Sequence, residues 1–352
     1  MKTFIRATGN ISPQKTFGPS VLLQDVVVQN GNRLRCTEPD YLKFIDAKAI
    51  RRMSRIIKMG TAAAMECLRE AAIQNPDAIV MGTAYGCLED TGIFLKKMVE
   101  QKEEMLTPTA FIQSTHNTIG AQIALLIQCH NYNNTFVHRG FSFESALLDA
   151  MMLLEENAAT TVLAGAADEI TDASHAILSR FGLYKKEIAN NADLYSIQTK
   201  GTIAGEGSAF FLLSNQPAEK DYATLDALYT FYRPADTKQI EQQIANFLER
   251  QSVAAADIDV VITGRNGDTK GDIIYNEIIT TLFKNNRTAN YKHLCGEYPT
   301  STAFALWLAA SVIKESKLPA TLGANSPQKI KKILIYNHYE NIHHSLMLVS
   351  AC

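Results

Sequence analysis

A turn centred on Gly140 is crowded with side chains able to do chemistry: His138, Arg139, Ser142 and Glu144. Thr135 to Val137 before it read as a short buried strand. Ala146, Leu147, Ala150, Met151 and Leu154 after it are spaced for one buried face of a helix. A strand that turns sharply into a helix is where many enzymes present a nucleophile. The strand fixes the residue, and the helix N-terminus supplies positive potential and free N–H groups. Here the turn offers a glycine, which has no side chain to react. The six cysteines, Cys36, Cys67, Cys87, Cys129, Cys295 and Cys352, are dispersed, mostly among apolar neighbours. That favours reduced thiols over a disulfide framework. Cys129 and Cys295 sit at no strand-to-helix turn and read as small buried hydrophobes. The eight histidines show no metal-ligand spacing with cysteine. His343 and His344 are adjacent, and neighbours on a strand face opposite sides, so no metal site and no cofactor are expected.

These side chains sit in a chain of 352 residues, 46% hydrophobic and 20% charged, the composition of a soluble globular protein. A formal net charge of −2 gives no case for nucleic acid or an anionic membrane surface. The N-terminus lacks the apolar region of a signal peptide, and no apolar run reaches the length of a membrane span. A cytoplasmic location is expected.

The elements that must position the turn alternate between strand and helix. A helix runs from about Lys58 to Ala72. Ala78-Ile79-Val80-Met81 is a continuous apolar run of the kind found in covered parallel strands. A helix near Asp90 to Gln101 precedes an irregular segment at Thr107-Pro108-Thr109, and another helix starts near Asn117. Val162 to Gly165 reads as a buried strand, and Gly205-Glu206-Gly207 as a turn that opens a further strand through Leu213. The second half repeats the first. Asp77 to Gly82 corresponds to Asp259 to Gly264 at an offset of 182 residues. That offset also places the helix from Lys58 on Ile240 to Ala254, and the helix with Gly120 to Ile127 on Thr302 to Ala309. The expected architecture is a duplicated α/β unit with halves at 1–215 and 216–352 in one compact body.

Several of these segments together resemble the β-ketoacyl synthases. They are the helix with Gly120, the strand with Asn134 and Thr135, the helix with Ala146, Val162 to Gly165 followed by Asp168-Glu169, and the Gly205-Glu206-Gly207 turn. The resemblance implies the thiolase-like fold: duplicated βαβαβ halves, with helices sandwiched between and outside two mixed sheets. In active members a cysteine at the strand-to-helix turn takes an acyl chain from a carrier protein. Two histidines then assist decarboxylation of a malonyl unit and hold the enolate, so the thiol must have a lowered pKa and the imidazoles must offer N–H groups.

All three positions depart from that pattern. Gly140 stands at the nucleophile's place. Gly264 stands at the first histidine's, with Gly267, Gly271 and Asp272 keeping register, and Glu297 stands at the second's, after Lys292 and Gly296. The family's glycine-rich loop near the C-terminus is replaced by Asn337 to Ser345. Without a thiolate there is no thioester, and an anionic Glu297 repels the charge that condensation develops. No catalytic residue of the family's kind is therefore expected.

Relatives that keep the fold and lose the nucleophile pair with an active synthase as its chain-length factor. The resemblance extends to such subunits of aryl polyene and flexirubin pigment pathways. It implies a heterodimer with a β-ketoacyl synthase, or a homodimer, that works with an acyl carrier protein. Phe111, Ile112 and Gln113 are the expected tunnel and interface residues; the alternative for Phe111 and Ile112 is ordinary core. His138, Arg139, Gly140, Ser142, Glu144 and Glu297 are read as a pseudo-active site whose polar groups plug the cavity. Against it stands a purely structural ion pair between Arg139 and Glu144. Arg51, Arg52 and Arg55 either receive an acidic carrier or are simply solvated. Two other functions stay open. One is condensation or acyl transfer by non-family residues, such as His138 with Glu144 or Glu297. The other is a homodimeric binding protein for an acyl chain or its carrier.

Overall fold

A computed structural model describes residues 2–18, 23, 25–322 and 329–352. The first half runs β1 (Thr3–Ile11), α1 (Ala47–Ile50), α2 (Arg55–Ala71), β2 (Ala78–Gly82), α3 (Leu88–Glu100), α4 (Pro108–Gln113) and α5 (Thr118–Ile127). It continues with β3 (Tyr132–Phe136), α6 (Ser142–Glu155), β4 (Thr161–Asp168), α7 (Asp172–Arg180) and β5 (Gly207–Ser214). The second half runs β6 (Ala223–Tyr232), α8 (Thr237–Arg250), β7 (Val260–Thr263), α9 (Asp272–Leu282) and β8 (Arg287–Asn290). It ends with α10 (Lys292–Cys295), α11 (Thr302–Glu315), β9 (Lys332–Tyr339) and β10 (His343–Ser350).

The strand order is β3-β2-β4-β5-β1-β6-β10-β9-β7-β8. Read outward from the middle, each half repeats the other: β1 answers β6, β5 answers β10, β4 answers β9, β2 answers β7 and β3 answers β8. The directions repeat as well. β2 is parallel to β3 and β4, as β7 is to β8 and β9, and the two inner pairings of each half are antiparallel. The two mixed sheets of the expectation are joined edge to edge. β1 and β6 pair through Thr3↔Leu225, Phe4↔Thr224 and Ile5↔Ala223, so hydrogen bonding continues across the middle and makes one ten-stranded mixed sheet.

Burial explains the layers. One face of both halves shares a single core with α6 and α11, built from alternate residues such as Val80, Val162 and Phe211 of the first half and Val260, Ile262 and Ile333 of the second. Thr302 to Ile313 of α11 are buried on every side, as suits a helix apolar all round. The opposite faces carry separate cores, with α2 and α5 over the first half and α8 and α9 over the second.

Three sequence expectations are corrected. β3 is an edge strand with partly exposed residues, not a buried one, because among the described residues no strand pairs beyond it in the sheet. Thr107 to Thr109 are not irregular: Thr107 is extended and Pro108 opens α4, a position where the missing N–H costs nothing. The third match of the 182-residue offset also fails. By topology α5, between β2 and β3, answers α9, whereas α11, between β8 and β9, answers α6. The longer β2–β3 connection, which holds α3 and α4, shifts the register.

Candidate functional site

The chain leaves β3, passes His138 and turns at Arg139 to Phe141 into α6. Ser142 fastens the turn: its hydroxyl donates to Arg139 O at 2.8 Å and accepts from His138 N at 2.8 Å. Arg139 takes the left-handed backbone, at φ 48°. Gly140 is buried, and the space in front of it is filled. A β-carbon placed there would lie 2.7 Å from Tyr339 Cβ and 3.0 Å from His343 Cβ. His343 is in turn set edge-on against Phe141, with ring centroids 4.8 Å apart.

The expected partners at this turn are only partly brought together. Glu144 is 1% exposed, whereas Arg139 and His138 lie at the surface, so the Arg139–Glu144 ion pair does not form. His138 Nδ1 instead lies 3.4 Å from Ser145 Oγ. Neither carboxyl oxygen of Glu144 has a partner of hydrogen-bond geometry. Burial pushes that carboxyl up to about 7, against weaker pulls from its own backbone N–H, Ser345, Thr302 and Lys292. Among the described residues, no hydrogen bond or ion pair joins His138 to Glu144.

Glu297 belongs to a second group. Its Oε1 accepts from Lys292 Nζ at 2.7 Å and its Oε2 from Asn266 Nδ2 at 2.7 Å. Lys292, wholly buried, also donates to Ser301 Oγ at 2.5 Å. A carboxylate held in this way is an acceptor and carries no N–H for an oxyanion. Gly264 is as confined as Gly140: a β-carbon there would fall 2.1 Å from Asn337 Oδ1 and 2.6 Å from Tyr275 OH.

Glu297 opens on a cleft of about 370 Å³ walled by Tyr85, Phe181, Tyr184, Lys270 and Tyr339 among others. Tyr85 and Tyr339 join hydroxyls at 3.3 Å, and burial pushes the Tyr85 phenol up to about 12. Tyr339 lines the cleft while its Cβ rests against Gly140, which does not line it. The cleft thus stops short of the turn. Among the described residues no three His, Cys, Asp or Glu side chains converge as metal ligands. His343 and His344 diverge, the first toward Phe141 and the second toward Tyr336 and Phe231.

Phe111 and Ile112 are 58% and 59% exposed on α4, which removes the ordinary-core alternative for them. Gln113 donates to Arg52 O, back toward its own subunit. Arg55 is no solvated cation. It forms a two-pronged pair with the fully buried Glu206 at 2.6 and 2.8 Å and reaches Glu38. Arg51 and Arg52 remain exposed. The residues that sequence reasoning missed are Tyr339, His343 and Asn337. Their signal was the replacement of a glycine-rich loop by bulky side chains.

Residues 29–186 match the family model described as the N-terminal domain of β-ketoacyl synthase. No curated protein sequence matches the chain. The fold is similar to that of the ishigamide ketosynthase/chain length factor, with a TM-score of 0.81 and 14% identity over 100% of this chain and 99% of that one. It is similar to a β-ketoacyl synthase from Burkholderia phymatum at 0.80 and 12%, over 100% and 99%. It is also similar to the structure of the ketosynthase ApeO with its chain length factor ApeC from Xenorhabdus doucetiae, at 0.77 and 13%, over 100% and 98%. At such identities the likeness is one of fold: this is the thiolase-like α/β fold of ketosynthases.

Proposed function

We propose that this chain is a catalytically silent ketosynthase-like subunit that pairs with an active β-ketoacyl synthase and helps set the length of the acyl chain built there. The observation that carries this reading is the strand-to-helix turn. It keeps its place in the fold, yet Gly140 offers no nucleophile and Tyr339 stands between it and the cleft. Glu297, tied to Lys292 and Asn266, supplies an acceptor where condensation needs donors.

The surface supports a partner. β3 is an open sheet edge, and Tyr132 on it bonds Asp149 of α6 at 3.1 Å. Exposed apolar residues flank that edge, Leu125 on α5 and Leu148 and Met152 on α6. Phe111 and Ile112 on α4 are exposed in the single chain, as residues that finish a partner's tunnel must be. One methylene against a bulky side chain is worth about 1 kcal/mol, so two such residues can stop extension at one length.

In finer detail, the product would be a polyene of fatty-acid or polyketide type, such as an aryl polyene or flexirubin pigment, assembled in the cytoplasm on an acyl carrier protein. Co-expression with the synthase from the same gene cluster tests the pairing. A stable mixed dimer is expected, with carrier-bound acyl groups found only on the synthase. A homodimer that ignores the synthase, or a covalent acyl adduct on this chain, would refute it.

A further inference from the structure

The loss of reacting groups is accompanied by a loss of space, and the two are separable. Gly140 is not a glycine for backbone reasons. Its φ lies outside the left-handed region, which its neighbour Arg139 occupies instead. An L residue could adopt the backbone at 140; what it lacks is room. The β-carbon contacts of 2.7 Å to Tyr339 and 3.0 Å to His343 are with atoms at the root of those side chains, so no change of rotamer clears them. Both roots are fixed by the β9–β10 pairing, where Tyr339 and His343 are direct partners. His343 is further packed by Phe141 and Tyr232, at 4.8 and 5.3 Å between ring centroids.

The same hairpin fills the other emptied position. Asn337, whose Oδ1 would meet a β-carbon on Gly264 at 2.1 Å, is held there by the Tyr291 hydroxyl at 2.8 Å. Tyr275, which closes the other side, accepts from His338 N at 2.8 Å. Asn337, Tyr339 and His343 all belong to one folded-back segment that crosses both former reacting positions.

We infer that the β9–β10 hairpin is a plug, with Tyr339 and His343 seated against residue 140 and Asn337 against residue 264, so that restoring the missing side chains alone does not reopen the site. This deepens the reading of a silent subunit and rests on it only for calling residue 140 the former nucleophile position. The packing is independent of any partner.

Alkylation by iodoacetamide, mapped by peptide mass spectrometry, tests it, with the exposed Cys352 as internal reference. In Gly140→Cys the introduced thiol is expected to label at least about 100-fold more slowly than Cys352, because it reacts only through local opening. Adding Tyr339→Gly and His343→Gly is expected to bring it within about tenfold of Cys352. Labelling of the single variant at the Cys352 rate, with an unchanged Tm, would overturn the plug. Where Gly140→Cys does not fold, Gly140→Ala decides. It should lower Tm markedly in the natural background and much less beside Tyr339→Gly and His343→Gly; an equal loss in both overturns the inference. Labelling reports packing alone, so a failed plug leaves the mixed dimer intact, and a failed mixed dimer leaves the plug intact.

Discussion

Glu144 and His338 are both buried near the β9–β10 hairpin and carry opposite pH signatures. Burial raises the Glu144 carboxyl from 4.5 to about 7, so the folded protein keeps a proton that the unfolded chain has released. Its contribution to stability is whole below pH 4.5 and is lost as pH rises through about 7. His338 is lowered from 6.5 to about 3, by burial first and then by His344 beside it. Below pH 6.5 the unfolded chain takes a proton that the folded one refuses, so stability falls as the solution is acidified toward pH 3. Each pKa unit corresponds to about 1.4 kcal/mol, and over the shared window the two effects oppose each other. Denaturation of the parent protein alone would therefore hide both. Glu144→Gln should gain stability over the parent as pH rises from 5 to 8, by up to about 3 kcal/mol. His338→Asn should gain stability relative to the parent as pH falls from 6.5 toward 4, because it no longer carries the buried imidazole that opposes folding in acid. Urea titrations at several pH values check both, and parallel pH curves for parent and variants would contradict the assignment.

At the scale of elements, what the sequence showed depended on how local the cause was. The apolar run at Ala78 to Met81 and the helix through Leu68 were legible because burial on both faces, or on one helical face, leaves a direct pattern. The edge position of β3 was not, since Thr135 to Val137 looks the same whether or not a neighbour pairs beyond it. The α5-to-α11 match failed because a fixed offset cannot follow a half that carries extra helices. In the site, the departures at Gly140, Gly264 and Glu297 from the family's pattern could be noted one residue at a time. Arg55 with Glu206, and Tyr339 against Gly140, join residues 151 and 199 apart in sequence, and only the fold brings them together. For α4 the consequence is a split between stability and assembly. Phe111→Ala with Ile112→Ala should change the stability of the isolated chain by no more than about 0.5 kcal/mol each, as exposed positions do. If the chain pairs as proposed, the same double variant should weaken the mixed dimer and shift product length. Loss of folding cooperativity in the isolated variant would contradict the exposed assignment.

For the whole molecule, the mirrored strand order is read as the trace of a duplication whose halves no longer stand apart. α6 of the first half and α11 of the second lie in one core with strands from both. Cutting the chain at the centre would expose that core on each piece. Residues 1–215 and 216–352 expressed separately should show no cooperative unfolding by circular dichroism, and mixing them should restore it in part. Two independently folded halves would contradict the shared core.

The open edge of β3 has a further consequence for the cell that makes this chain. If the chain pairs as proposed, copies produced in excess of the partner carry an edge strand that no other strand covers among the described residues, the arrangement from which intermolecular sheets grow. Dosage then matters as much as affinity. In that case matched synthesis of the two proposed subunits would keep orphan copies scarce, and a surplus of this chain would end in precipitate.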